Sequence, residues 1–500
     1  MALDPRTPVL IGQGQAIDRS TAVADVKHPV ALMADALHAA AADACIELPD
    51  DVDSIRVVRL LSWKYPNVAH ALASALGITA REYATTPHGG NMPQTLVNLS
   101  ARQILSGEQD FVILAGGECT RTRSLFKDAN TLPWPAPDAA RTTDGTPIPA
   151  PTHVVDDLAL LNEEEIRLGI VLPVQVYPMF ESAIRATSGR NIEQHDRHIA
   201  GLWSRFNAVA VNNAFAWSRE PMSADRIREV SSDNRMIGTP YRKVMNSNNQ
   251  VNMAASLIMC SVERATSLGV PRDRWVFPLA GTDCHEHQFI SNRWSFAETP
   301  AVARGGALAM ELADCDIDDL SLVDLYSCFP SAVQLGAASL GFDIERTLTL
   351  TGGLSFAGGP WNNYVMHSIA TAMVRLRESS SEKAFIWANG GYATKHAFGV
   401  YAMTPPNSGF RHGSPQAEID ALPRRELAVG DDAEGPAIVE AFTVMHDRDG
   451  EPERLIAAAL RKDERRAWIV SDDRSVAREF ATGEHVGDAV TLRRSGELAD

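Results

Sequence analysis

Apolar positions in the first part of the chain follow two periods. Pro8-Val9-Leu10-Ile11-Gly12 and Ile55-Arg56-Val57-Val58 are short apolar runs of strand character, and the alanine-rich stretch from Pro29 to Cys45 between them has helical spacing. Strand and helix in alternation predict an α/β architecture. A second pattern then occurs twice. His88-Gly89-Gly90-Asn91 opens a helical stretch that leads into the apolar run Phe111–Ala115 and ends in Gly116-Gly117; Ala357-Gly358-Gly359-Pro360 opens another that leads into Phe385–Ala388 and ends in Asn389-Gly390-Gly391. The helix faces Leu96, Leu99, Gln103 and Val365, Ile369, Met373 repeat at helical spacing, and the two strands are apolar throughout, as parallel strands covered on both faces are. Two similar α/β halves are predicted.

Two regions depart from this rhythm. From Glu118 to Ser247 lies an insertion that begins with Pro133, Pro135, Pro137, Pro147, Pro149 and Pro151. Proline lacks the ladder donor, so this stretch is expected to be lid or loop, packed on the body through helical patterns at Tyr177–Ala186 and Gln194–Val211. After Tyr401, Thr404-Pro405-Pro406-Asn407-Ser408-Gly409 reads as a linker, followed by strand signals at Ala437–Val444, Leu455–Leu460 and Ala467–Val470 with a turn at Asp447–Gly450. The expected organisation is a first half at 1–117 and 248–265, an inserted loop domain at 118–247, a second half at 266–408, and a β-barrel-like domain at 409–500.

The chain has 500 residues, with 46 Lys+Arg against 63 Asp+Glu for a formal charge of −17, which argues against nucleic acid as a partner. Apolar content of 45% and charged content of 22% are those of an ordinary globular protein. The start, Met1-Ala2-Leu3-Asp4-Pro5-Arg6, lacks the pattern of a signal peptide, and no apolar run approaches the ~20 residues of a membrane span, so a cytoplasmic protein without a membrane partner is expected. Six dispersed cysteines read as free thiols. Asp283-Cys284-His285-Glu286-His287 concentrates metal-capable side chains, but neighbours on an extended segment point to opposite faces, and no metal site is expected there or at His195 and His198. Gly12-Gln13-Gly14-Gln15-Ala16-Ile17 begins like a dinucleotide fingerprint and ends without its third glycine.

The duplicated Gly-Gly, helix, strand, Gly-Gly unit, the segments Ile104–Glu118, Asp324-Leu325-Tyr326-Ser327-Cys328-Phe329 and Gly352-Gly353-Leu354, and the long insertion together resemble the thiolase superfamily, in particular thiolase-like proteins with an extra C-terminal domain. The resemblance implies a duplicated five-layer thiolase fold, a classification beside acetyl-CoA acetyltransferases and other acyltransferases of lipid metabolism, and coenzyme A or acyl-CoA as ligand. Thiolases use a nucleophilic Cys at a helix N-terminus, a base His, a second Cys and an oxyanion-binding Asn or His. Matched to this sequence, those four roles fall on Gly90, Gly359, Asn389 and Tyr326, so standard thiolase chemistry is not expected. Against the inserted region the resemblance places the nucleotide handle of coenzyme A, with Arg242 and Lys243 as the basic contacts carried forward from a set that includes Arg121 and Arg123. No covalently bound cofactor is implied.

The residues left in these positions suggest their own chemistry. Two glycine pairs at two helix N-termini offer backbone N–H groups to an anion or oxyanion, or simply let helices pack closely. His88 beside the first pair, and Lys395-His396 after the second Gly-Gly turn, are candidates for the same pocket. Similar aldolase-type lyases cleave β-hydroxyacyl-CoA with a tyrosine at about the place of Tyr326, whose phenol would need nearby cations to act as a base near neutral pH; Lys395 and His396 are the candidates. Three functions are therefore expected to compete: an acyl-CoA-binding protein of thiolase type without its cysteine chemistry, a Tyr326 lyase, and a non-catalytic acyl-CoA or lipid carrier. Thiolases pair through the edge of their N-terminal half, which a C-terminal β-module can cover, so monomer and homodimer both stand.

Overall fold

The structure, a computed structural model, describes residues 3–128, 131–135, 141 and 145–499. Met1, Ala2 and Pro137 lie outside the described residues. In the first half β1 (Pro8–Ile17), α1 (Pro29–Asp43), β2 (Asp51–Val57), α2 (Val68–Leu76), β3 (Thr79–Thr85), α3 (Met92–Ser106) and β4 (Phe111–Cys119) follow in order. The insertion carries α4 (Pro173–Ser188) and α5 (Ile192–Asn212), and β5 (Asn252–Ser261) returns to the first sheet. In the second half come β6 (Phe277–His285), α6 (Pro300–Leu312), β7 (Leu320–Leu325), α7 (Pro330–Leu340), α8 (Tyr364–Glu378), β8 (Lys383–Gly390) and β9 (Lys395–Ala402).

The repeat in the sequence is a repeat in topology. The first sheet runs β1-β5-β4-β2-β3, with β1/β5 and β5/β4 antiparallel and β4/β2 and β2/β3 parallel. The second runs β6-β9-β8-β7 with the same directions: antiparallel, antiparallel, parallel. Strands β4 and β5 are buried at every position, because helices cover both faces of their sheet. Helices α1 and α2 pack outside the first sheet, α6 and α7 outside the second, and α3 and α8 lie between the two. Close approach of α3 to β9 requires Gly399, where a Cβ would sit 2.7 Å from the amide of Gln94. One antiparallel bridge joins the sheets: Leu10 N–H donates to Val276 O at 2.8 Å and Val276 N–H to Leu10 O at 2.9 Å.

Helix α8 departs from the expected repeat. A turn of 3-10 helix at Trp361–Asn363 separates it from Gly358-Gly359, whereas α3 begins two residues after Gly90. Pro360 and the left-handed φ of Trp361, +46°, set this extra turn apart.

The C-terminal segment is sheet-rich: β10 (Gly435–His446), β11 (Pro452–Arg461), β12 (Arg466–Ser471), α9 (Arg474–Thr482), β13 (Ala489–Arg494) and β14 (Glu497–Leu498). Its order is β12-β11-β10-β13-β14, and the two ends meet where Gly496 N–H donates to Trp468 O at 2.8 Å. Asp447 makes the expected turn, its carboxylate accepting from Asp449 N–H and Glu451 N–H at 3.0 Å each. A short strand of the insertion, Met236–Gly238, pairs with β10. The insertion also supplies Thr152–His153, which pairs along the outer edge of β3; the strand paired there comes from the insertion and not from the C-terminal module.

Candidate functional site

The heads of α3 and α8 converge between the sheets and are tied together by asparagines. Gly89 N–H donates to Asn362 Oδ1 at 3.1 Å, Asn362 Nδ2 donates to Arg59 O at 2.9 Å, and Asn363 Nδ2 donates to Gly116 O at 2.7 Å. Gly359 N–H donates to Asn248 O at 2.9 Å. The backbone donors of Gly89 and Gly359, for which an oxyanion cradle and close helix packing both stood as readings, are bonded within the protein itself.

Position 90 is closed by its neighbours. A Cβ there would overlap the phenol oxygen of Tyr326 and stand 2.8 Å from its ring carbon and 2.5 Å from Asn389 O. At position 359 the space is taken by the Ser247 hydroxyl, with Asn249 Oδ1 3.0 Å from where a Cβ would lie. Tyr326 packs edge-on against Tyr364 at 5.7 Å. Burial, with Cys328 and Tyr364 beside it, pushes the Tyr326 phenol well above its ordinary value. The cations expected to assist it, Lys395 and His396, are not among the groups acting on it. Beneath it, Asp324 is buried and accepts from Leu350 N–H and Ser368 Oγ at 2.7 Å each, while burial pushes its carboxyl up to about 6.

Lys395 and His396 face opposite ways, as adjacent residues of a strand must. Lys395 Nζ reaches toward α3, donating to His88 O and lying 3.8 Å from Asp157. Burial lowers the pKa of Lys395, and burial followed by the Lys395 and Arg59 charges lowers that of His88. His396 points to the outer layer, accepting from the Trp387 indole at 3.3 Å, and burial holds it well below its ordinary value. His396 thus does not share a pocket with His88. Asn389 also turns outward, and its Nδ2 donates to Tyr177 Oη at 2.9 Å.

Tyr177 stands out in the sequence only as the first position of a helical pattern. Its hydroxyl donates to Gly391 O at 3.1 Å and accepts from Ala393 N–H at 2.9 Å, fixing the turn between β8 and β9. Arg293 holds the same turn from behind, donating to Tyr392 O at 2.8 Å and to Ala393 O. Cys328 stands at the head of α7 in the outer layer, not at α3 or α8, and burial pushes its thiol up to about 12. Cys119 and Cys284 are buried and pushed well up. Among the described residues no His/Cys/Asp/Glu group is arranged to hold a metal ion. His285 is engaged with Glu286 O, His287 with Pro423 O, and His195 with Glu181 at 2.5 Å.

A groove of about 720 Å³ opens beside the Gly359 loop. Lys243 and Arg226 line it with Asn234, Asn246, Ser247 and Phe356. Arg242 is not part of it: its guanidinium is bound to Asp196, at 3.1 Å for the Nη2 contact, and to Pro240 O. The chain leaves the short strand Tyr241–Arg242 for a turn of 3-10 helix at Lys243–Met245, which separates the two basic residues. Arg121 and Arg123 lie over the rings of Trp217 and Trp63, at 5.7 and 5.3 Å.

Residues 415–497 match the family model of the thiolase-like protein type 1 additional C-terminal domain. The whole chain is similar to the crystal structure of a monomeric SCP2-thiolase-like protein type 1 from Mycobacterium smegmatis, with 28% identity and a TM-score of 0.83 over 99% of this chain and 98% of that one. Residues 415–497 are thus the additional C-terminal domain of a thiolase-like protein, and the chain as a whole has the thiolase-like fold. This fold is shared more distantly by the Ltp2-ChsH2(DUF35) aldolase, at 15% identity, TM-score 0.56, and 80% and 98% of the two chains. It is shared also by the dimeric peroxisomal thiolase of Saccharomyces cerevisiae, at 12% identity, TM-score 0.55, and again 80% and 98%. No curated protein sequence matches the chain.

Proposed function

We propose that this protein binds coenzyme A or an acyl-CoA in the groove beside Gly359 and does not form an acyl-enzyme at the head of α3. The observation that carries this reading is the closure of position 90 by Tyr326 and Asn389 O, which leaves neither a nucleophile nor room for one. Lys243 and Arg226 supply cations for phosphate, and the asparagines of the groove supply partners for the amides of a pantetheine arm. Arg242 is left out of this proposal by its bond to Asp196, and His396 by its outward orientation; His88, Lys395 and Tyr326 remain as the polar groups at the helix heads.

Titration calorimetry with coenzyme A and acetyl-CoA tests the reading. Heat of binding that falls at least tenfold in affinity on Lys243→Glu, with no mass added to the intact protein after acetyl-CoA, is the expected result. Absence of binding, or a stable acyl adduct, overturns it. A second reading, a lyase acting on β-hydroxyacyl-CoA, is favoured by one observation: the Tyr326 phenol is the side chain that takes the place opposite Gly90. Retro-aldol turnover by the parent chain and its loss in Tyr326→Phe would separate this reading from simple binding, and unchanged turnover would remove Tyr326 from it.

A further inference from the structure

Four basic residues elsewhere in the first half hold carboxylates: Arg6 pairs with Asp110, Lys27 with Asp35, Arg56 with Glu82 and Arg81 with Asp53. Around the end of β4 basic residues without such partners gather. Arg19, Arg59, Lys64, Arg121, Arg123 and Lys127 make no ion pair with any described residue. Three of them, Arg19, Arg121 and Arg123, are held by rings and carbonyls instead. Arg19 and Arg121 both lie over the Trp217 ring, at 4.7 and 5.7 Å, Arg123 lies over Trp63, and Arg19 donates to the carbonyls of Ala216 and Trp217. Such contacts position a guanidinium without neutralising it.

The group is contiguous with the candidate site. Asn362, which receives the Gly89 N–H, donates to Arg59 O, and the neighbouring Trp361 indole donates to Thr120 Oγ1, next to Arg121. Leu61 N–H and Ser62 N–H donate to the Glu118 carboxylate at 2.7 and 2.8 Å, which brings the 59–64 loop to the same place. Three large apolar side chains stand among these cations: Trp361 is 37% exposed, Leu61 42% and Leu125 48%. Asp128 is an acidic residue at the rim, beside Lys127.

We propose that this face docks the protein peripherally on an anionic phospholipid surface, with the heads of α3 and α8 toward the bilayer. Unneutralised cations on a chain of net charge −17 mark a local complement to negative charge. Charge alone would suit an acidic protein equally; exposed indole and leucine side chains interspersed with the cations match the layered chemistry of a lipid interface. No helix is long and apolar enough to cross a membrane among the described residues, and the contact is one of surface only. It does not depend on coenzyme A binding.

Co-sedimentation of the full chain with phosphatidylcholine vesicles, with and without an equal share of phosphatidylglycerol, tests the proposal in the absence of coenzyme A. Binding to the anionic vesicles alone is expected, and its loss at 1 M salt, where the screening length falls to ~3 Å. Each basic residue at such a surface is worth about fivefold, so the triple variant Arg59→Gln, Lys64→Gln, Lys127→Gln should bind ~100-fold more weakly with an unchanged thermal midpoint. Trp361→Ala should weaken binding at constant charge. The control Lys462→Gln with Arg478→Gln, on exposed positions of the C-terminal segment, should not. No sedimentation, equal sedimentation with neutral vesicles, equal loss in the control, or association with polyglutamate but not with vesicles would each overturn the proposal.

Discussion

Tyr326 and Gly90 are one structural unit, since the phenol occupies the volume that any side chain at position 90 would claim. Overpacking of a buried site costs about 1–3 kcal/mol, so Gly90→Ala should lower the free energy of unfolding in denaturant titrations by that much. Combined with Tyr326→Phe, which removes the closest atom, it should cost less than the two single changes added. Glu118 carries a pH dependence. Burial lifts its carboxyl up to about 7, above an ordinary value near 4.5. The folded state therefore holds this proton more tightly than the unfolded chain does. The stability it brings is full below pH ~4.5 and is lost as pH rises through ~7, by about 3 kcal/mol. Glu118→Gln should show a smaller fall in unfolding free energy between pH 5 and pH 8 than the parent chain; an identical slope would show that Glu118 does not titrate in this range. At this scale the sequence was only partly legible. The glycine at position 90 is visible in it, but the closing phenol comes from 236 residues further on, and no local signal reveals that.

Elements explain which candidates met and which did not. Strand β9 is buried on both faces, so its side chains show no alternation of polar and apolar that would tell Lys395 from His396; only its pairing with β6 and β8 decides that Lys395 turns to α3. Helix and strand existence was legible at Phe111–Ala115 and Phe385–Ala388 because uninterrupted apolar runs survive any register. The turn after β8 depends on partners far away in the chain. Arg466 of β12 forms a buried pair with Glu440 and donates to Ser291 O at 2.7 Å and Arg293 O at 2.6 Å, and Arg293 in turn holds the carbonyls of Tyr392 and Ala393. Leaving Glu440 without its partner should cost about 3–5 kcal/mol in Arg466→Met. Amide exchange at residues 392–395 should rise in that variant and in Arg293→Lys, while β3 keeps its protection. Unchanged exchange at the turn would separate the C-terminal sheet from the candidate site.

For the whole molecule, the two halves repeat because the same strand order is laid down twice, and that repetition was readable from spacing alone. The tertiary use of the insertion was not, since its proline-rich start predicts only what it cannot form. In fact it contributes two residues of strand to the β3 edge and five, Met236–Gly238 and Tyr241–Arg242, to the C-terminal sheet. An occupied edge is a poor template for another chain. Light scattering during size exclusion should therefore give a mass near 54.2 kDa, and a value of twice that would show that pairing proceeds elsewhere or displaces Thr152–His153.

The strand Met236–Gly238, lodged against β10, has a practical corollary for anyone dissecting the molecule. A fragment cut at residue 415 would begin its life one ribbon short, with the flank of β10 near Met445 laid bare. Grafting this tail onto another scaffold would require bringing along a piece of chain encoded almost two hundred positions earlier.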